Sequence, residues 1–222
     1  MTISIKYLTL GAFQTNAYIV ADTETKNAIL IDPVDNADAI LNACKEDDWT
    51  IQLVLATHAH LDHVLASQAI KDATSAPFYI HEDCADLLQQ VPAQAAMFGL
   101  GTVALPAKPD RLLTTEPEMI TLDSITLQTR YTPGHAEGHL SFYMSNEKIL
   151  FSGDSLFAGS IGRTDLPGGN HALLMKSIFT QLMVLDDDVQ VLPGHMHPTT
   201  IGRERATNPF LLSYNDDPTR DK

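Results

Sequence analysis

Three observations predict an α/β fold for this 222-residue chain. Short β-like runs alternate with amphipathic helical stretches along its length. Four of the expected strands end in residues able to bind metal, the usual place for sites on a strand-and-helix scaffold. The composition also supplies a core: 44% of the residues are hydrophobic. No apolar run approaches the roughly 18 residues of a membrane span.

The elements follow in order. Residues 3–10 begin Ile3-Ser4-Ile5-Lys6, an apolar/polar alternation that reads as a first strand and not as a secretory leader. A cytoplasmic location is the resulting expectation. Further strands are expected at 17–21, 28–31 and 51–56. Between the last two lies a helix over 37–47, with Ile40, Leu41 and Cys44 on its apolar face. A helix over 64–72, a strand at 78–80 and a helix over 83–90 come next. Residues 91–109 hold three prolines and two glycines and read as a long loop, a length common in lids and binding elements. Strands at 125–131, 140–144 and 148–151 precede a helix over 172–183, which Asn170 caps. A strand at 189–192 and a short helix over 202–207 complete the series, and the polar tail 215–222 is expected to fray. With no repeat, low-complexity tract or linker, residues 1–222 are expected to form a single domain.

Charge narrows the partners. Fourteen Lys and Arg stand against 28 Asp and Glu, a formal net charge of −14. Nucleic acid and anionic membrane both require a basic face, so neither is expected. Charge does not choose among the remaining classes of partner, and the oligomeric state is left open. The two cysteines, Cys44 and Cys84, read as core residues and not as reactive thiols.

The chemistry is concentrated after four strands. Residues 51–56 run into Thr57-His58-Ala59-His60-Leu61-Asp62-His63. In an extended segment His58 and His60 project to the same side, and a turn into a helix brings Asp62 and His63 back toward them. His135 and His195 each follow a Pro-Gly pair, a rigid turn that presents one side chain at a fixed angle. Asp154 follows Gly153 at the end of another strand. Five imidazoles and two carboxylates without a thiolate suit zinc, iron or manganese better than calcium or magnesium. Seven ligands exceed one tetrahedral site and suit two ions sharing one carboxylate.

In this order, His58-Ala59-His60-Leu61-Asp62-His63, His135, Asp154 and His195 resemble the metallo-β-lactamase superfamily over nearly the whole chain. The resemblance implies a four-layer αββα sandwich, two mixed sheets face to face with helices outside and the metals at one edge. It implies His58, His60 and His135 on a first metal, Asp62, His63 and His195 on a second, and Asp154 bridging. Zinc is the expected metal, in one or two ions, with iron or manganese as alternatives.

Gln14-Thr15-Asn16-Ala17-Tyr18, Gly153-Asp154-Ser155-Leu156-Phe157, Ser160-Ile161-Gly162-Arg163-Thr164-Asp165 and the stretch from Thr200 to Phe210 are similar to the small bacterial glyoxalase II-type (hydroxyacylglutathione hydrolase-like) members. His63 argues against the true β-lactamases, many of which lack a histidine there. His60, where oxygen-reducing diiron relatives carry Glu, argues against that branch. Asp32-Pro33-Val34 departs from the usual Asp-Pro-Gly and questions the local turn. Residues 196–222 are too few for the helical domain with which larger glyoxalase II enzymes grip glutathione, so glutathione specificity does not carry over. Arg163 matches the position of a basic residue facing the thiol's carboxylate; the competing reading is a surface pair with Asp165.

The implied activity is hydrolysis of a small-molecule thioester by a metal-bound hydroxide, with Asp62 also orienting that hydroxide. The substrate would be a small thiol conjugate of the S-2-hydroxyacylglutathione kind. The alternatives are oxidation of a persulfide at a single iron held by His58, His135 and Asp154, and lactone hydrolysis. Four histidines remain: His81 is expected to cap a turn, His139 to be structural, His171 to lie in a first helical turn, and His197 to sit near the mouth of the site.

Overall fold

Strands whose residues are apolar on both sides need cover on both faces, and this requirement organises the molecule. In the computed structural model residues 2–215 are described. The first sheet runs in the order β1 (Ile3–Leu10), β2 (Thr15–Asp22), β3 (Asn27–Ile31), β4 (Thr50–Leu55), β5 (Phe78–His81) and β6 (Arg111–Leu113). Its first two pairings are antiparallel and the rest parallel. The second sheet contains β7 (Met119–Leu122), β8 (Ile125–Tyr131), β9 (Leu140–Met144) and β10 (Ile149–Gly153). A two-stranded ribbon, β11 (Leu156–Phe157) and β12 (Ser160–Ile161), stands apart. Then β13 (Gln190–Pro193) joins β10 in parallel, and β14 (Thr199–Thr200) forms the edge.

Period-two alternation sorts the side chains. From β2, Tyr18 and Val20 face the second sheet, where they pack with Leu127, Phe142, Phe151 and Leu192. Ala17, Ile19 and Ala21 face outward with Val34, Ile40 and Ile70. On the far side Leu150 and Val191 pack with Leu174, Met175, Ile178 and Ile201. Fully burying each large aliphatic or aromatic side chain is worth about 1.5–3 kcal/mol, so the central layer holds the two sheets in one orientation. The expected αββα sandwich is observed.

Covering helices are α1 (Ala37–Glu46), α2 (Leu61–Val64), α3 (Ser67–Thr74), α4 (Ala85–Gln89) and α5 (Val91–Met97) on one side. On the other lie α6 (His171–Ser177), α7 (Ile201–Thr207) and α8 (Pro209–Asn215). Asn170 caps α6 by accepting from the Leu173 N–H, as expected. Cys44 and Cys84 are both free and buried.

Several boundaries differ from expectation. The helix expected over 64–72 is two pieces, because the Ala66 N–H is diverted to the carbonyls of Pro33 and Val34. The helix over 172–183 gives way at Ile178 to a π-helical turn. Residues 91–109 are not one loop: α5 forms with Pro92 in its first turn, where a missing N–H costs nothing. Only 98–110 lack helix and strand. The short strands β6, β7, β11, β12 and β14 and helix α8 were not anticipated, since elements this short draw their stability from neighbours more than from pattern. The expected fraying of the tail concerns residues outside those described, apart from Asn215 at the end of α8.

Candidate metal centre

The C-terminal ends of β3, β4, β8, β10 and β13 meet at one edge of the sandwich. At the end of β3, Asp32 adopts φ +56, a left-handed conformation that Asp tolerates better than most side chains. Its carboxylate accepts the Thr57 N–H at 2.7 Å, the Thr57 hydroxyl at 2.9 Å and His63 Nδ1 at 2.9 Å. The departure from Asp-Pro-Gly is accommodated because Val34 N–H closes a tight turn onto the Asp32 carbonyl.

These contacts fix ring orientation. The Thr57 hydroxyl has one proton, given to Asp32, so its oxygen accepts from His58 Nδ1 at 3.0 Å. His58 Nε2 is thereby left with its lone pair pointing inward. His135 Nδ1 donates to the Arg163 carbonyl at 2.7 Å, so His135 Nε2 also presents a lone pair. His58 Nε2 and His135 Nε2 lie 3.0 and 2.8 Å from His60 Nδ1. One proton on His60 satisfies only one of them, whereas a cation among the three satisfies all.

A second set lies beside the first. With Nδ1 held by Asp32, His63 Nε2 sits 3.5 Å from Asp62 Oδ2 and 3.4 Å from Asp154 Oδ1. His195 Nε2 lies 3.3 Å from both Asp62 Oδ2 and Asp154 Oδ2. Asp154 Oδ2 is also 3.5 Å from His135 Nε2, so this carboxylate stands between the two sets. His63 Nε2 and Asp154 Oδ1 are buried without a hydrogen-bond partner. Unpaired buried donors and acceptors of this kind are costly, and a bound cation removes the cost. Donor atoms fall within 4.8 Å of one another in three groups: His58, His60 and His135; His58, His63 and Asp154; Asp62, His63 and His195. All seven residues expected at the site are therefore together.

The electrostatics divide along the same line. Burial pushes His58, His60 and His135 below the usual imidazole range, His60 to about 3. Burial opposes protonation of His195 and His63 as well, but the neighbouring carboxylates win. Asp154 and Asp62 raise His195 to about 10, while Asp62, Asp154 and Asp32 raise His63. Asp62, despite burial, is held at about 2 by His63 and His195. The second set is thus a proton-compensated one whose protons a divalent ion would displace.

Residues not singled out for the site hold it in place. Thr15 donates to Asp62 Oδ2 at 2.7 Å. Asn16 Nδ2 and the Tyr18 hydroxyl donate to the Pro193 carbonyl, and Asn16 Nδ2 also to that of Met196, gripping the turn that carries His195. Thr15, Asn16 and Tyr18 belong to the stretch that is similar to glyoxalase II-type members, and these contacts are its physical role here. Gln94, on the unanticipated α5, accepts the Leu61 N–H at 3.0 Å. His139 is structural as expected, yet it acts on the site: Nε2 accepts the Asp154 N–H at 3.0 Å while Nδ1 bonds Thr132. His81 accepts the Asp83 N–H, as anticipated. A side chain at Gly194 would collide with Asp154 Oδ1 and His63.

The cluster opens into a cleft of about 470 Å³ lined also by Phe13, Leu87, Met97, Phe98 and Phe157. Arg163 lines this cleft with an exposed side chain, outside the donor cluster. Its guanidinium makes a two-bond pair with Asp165, at 2.7 and 2.8 Å. His197 is exposed and is not among the described lining residues; Met196 stands there instead.

Residues 10–195 match the metallo-beta-lactamase superfamily model, and the chain belongs to that superfamily. By class it is a metallo-hydrolase. Among curated relatives, the hydroxyacylglutathione hydrolase GloC of Haemophilus influenzae is 38% identical over 211 residues, covering 95% of this chain and 99% of that one. Among solved structures, the BLEG-1 B3 metallo-beta-lactamase superposes with a TM-score of 0.88 at 39% identity, over 94% of this chain and 99% of that one. TTHA1623, solved in a di-iron-bound form, gives 0.84 at 38%, over 93% and 100%. With a B3 metallo-beta-lactamase this similar, the contrast drawn at His63 does not by itself separate the chain from β-lactamases.

Proposed function

We propose that this protein hydrolyses the thioester of a small-molecule thiol, in the manner of glyoxalase II, within one domain spanning residues 1–222. The observation that carries the reading is the convergence of inward-facing lone pairs and an unpartnered Asp154 oxygen on the floor of an open cleft. The thioester preference draws its support from the GloC relative. His58, His60 and His135 would hold one ion, Asp62, His63 and His195 another, with Asp154 shared. Zinc is the metal of this reading, and iron is kept as the alternative because TTHA1623 binds it in pairs. Divalent ions bound there would supply Lewis acidity and lower the pKa of a bound water toward neutrality.

The chain's own groups do the rest. Asp62, fixed by Thr15 and ionised, hydrogen-bonds the attacking water and aims it. Water oxygen joins the acyl carbon, the C–S bond breaks, and the thiolate leaves with the electron pair. The products are a carboxylate and a thiol, with one proton released. Were the thiol to carry a carboxylate, Arg163 at the cleft margin would be the group to meet it, in competition with Asp165. A cytoplasmic location belongs to the same reading, in keeping with two cysteines that form no disulfide.

The test pairs elemental analysis of the purified protein with turnover of thioesters, a lactone, a β-lactam and glutathione persulfide. Thioester hydrolysis lost in His60→Ala and Asp154→Ala is the expected result. Unchanged activity in those variants, or oxygen consumption with the persulfide in place of hydrolysis, would refute it.

A further inference from the structure

We infer that the body of the substrate lying in the cleft is an uncharged apolar chain or ring, so that apolar thioesters of neutral thiols are preferred over conjugates of charged thiols such as glutathione. The inference rests on the proposed thioester hydrolysis and names the substrate class of that same site.

Three features carry it. The walls beside the donor cluster are mostly apolar: Leu87, Met97, Phe98, Phe157 and Met196 line them, against the neutral amides of Gln90 and Gln94. Met97 and Met196 are 69% and 52% exposed, placing thioether side chains at the rim without cover from the protein itself. Methionine adapts its shape to an apolar partner better than branched side chains do. Secondly, Phe13, from the turn between β1 and β2, meets Phe98 edge to face with centroids 5.3 Å apart. Phe13 also borders a second recess of about 290 Å³ that it shares with Leu10, Leu65, Val103 and the carboxylate of Asp35, and both recesses reach Asp62. A reacting carbonyl at the donor cluster therefore has the apolar cleft available to one arm, and beside Asp62 a second recess that combines hydrocarbon with the Asp35 carboxylate.

The third feature is charge. Among the described residues lining the two recesses, Arg163 is the only Lys or Arg, and Asp165 already takes two of its hydrogen bonds. A glutathione conjugate carries two carboxylates and an ammonium group. Seating it here would desolvate some of those charges against hydrocarbon with one engaged guanidinium in return, which is unfavourable. An acyl chain or aromatic ring gains at each buried methylene instead.

The experiment compares metal-loaded protein on acetyl and octanoyl thioesters of N-acetylcysteamine, on the acetyl thioester of benzyl mercaptan and on S-lactoylglutathione. The first pair varies the acyl arm and the third substrate the thiol arm. Binding of the non-hydrolysable octyl thioether of N-acetylcysteamine to metal-free and loaded protein is followed by calorimetry. At least one apolar arm should raise kcat/KM over the acetyl parent by on the order of a hundredfold. Met97→Glu and Phe98→Ser should each lower the octanoyl-to-acetyl ratio and weaken thioether binding about tenfold or more. Both positions are partly exposed, so the fold tolerates either change.

Thioester hydrolysis with no dependence on either apolar arm, or with S-lactoylglutathione preferred, overturns the inference and leaves the hydrolase reading intact. Thioether binding that responds to both variants, with no thioester turned over, supports the apolar cleft while removing the thioesterase reading.

Discussion

Replacing Asp32 by Asn changes almost nothing in volume, and Asn tolerates the left-handed backbone at φ +56 as well as Asp does. What changes is the pattern of donors. The carboxylate accepts three hydrogen bonds, from Thr57 N–H, the Thr57 hydroxyl and His63 Nδ1. An amide has one acceptor oxygen. With that oxygen toward Thr57 N–H, its NH₂ faces two groups that were donating. Thr57 must then turn its proton toward His58 Nδ1, and neutral His63, the form that ligates, must carry its one proton on Nε2 instead of Nδ1. Both rings lose the inward lone pairs that ligation requires.

Loss of such a supporting partner weakens metal affinity about 10–100-fold, or about 1.4–2.8 kcal/mol. Because Thr57 relays the change to His58, the loss should appear at both ions and not only at the one beside His63. Zinc titration against a chromophoric chelator, fitted to two sites, measures it, with far-ultraviolet circular dichroism confirming the fold. Both affinities within about twofold of the parent in a folded protein would refute the argument from tautomers.

Two further outcomes follow from the same geometry. Gly194→Ala should lower metal content and thioester turnover together, because the new methyl group displaces Asp154 and His63; metal stoichiometry by elemental analysis checks it. Asp22 carries its carboxylate at about 2, chiefly through the Ser124 hydroxyl and then the Thr25 and Glu24 N–H groups. A folded pKa below the unfolded one means the stabilisation is present above the unfolded pKa and disappears as pH falls through the folded one. Asp22→Asn should therefore be less stable than the parent in urea at neutral pH, with the gap narrowing below about pH 4. A gap that stays constant down to the acid limit would show the carboxylate charge to be irrelevant.

Much of this was legible in the order of residues. Strand β8 was expected at its observed limits, and the donor cluster was read from His58 to His195 because spacing within a strand end and a Pro-Gly turn are local matters. Helix α5 was not, because Pro92 looks like a breaker until its place in the first turn is known. With α5 went Gln94, which holds the Leu61 N–H, and the apolar wall of Met97 and Phe98. Asp32, Thr15, Asn16 and Tyr18 were visible as residues, but their roles depend on contacts with Thr57, Asp62 and Pro193 that lie far along the chain.

The sequence by itself determined the layered α/β class, which seven His and Asp residues gather at one edge and the apolar material for three packed interfaces, since periodicity and side-chain chemistry are properties of short segments. The tertiary structure alone decided which way each imidazole faces, that Asp154 stands between two donor sets, and that Arg163 is paired with Asp165 at the margin of an apolar cleft. The reason is physical: hydrogen bonds and burial that set a proton's position or a cleft's polarity are made between residues distant in sequence. Only the closed sandwich brings them within reach.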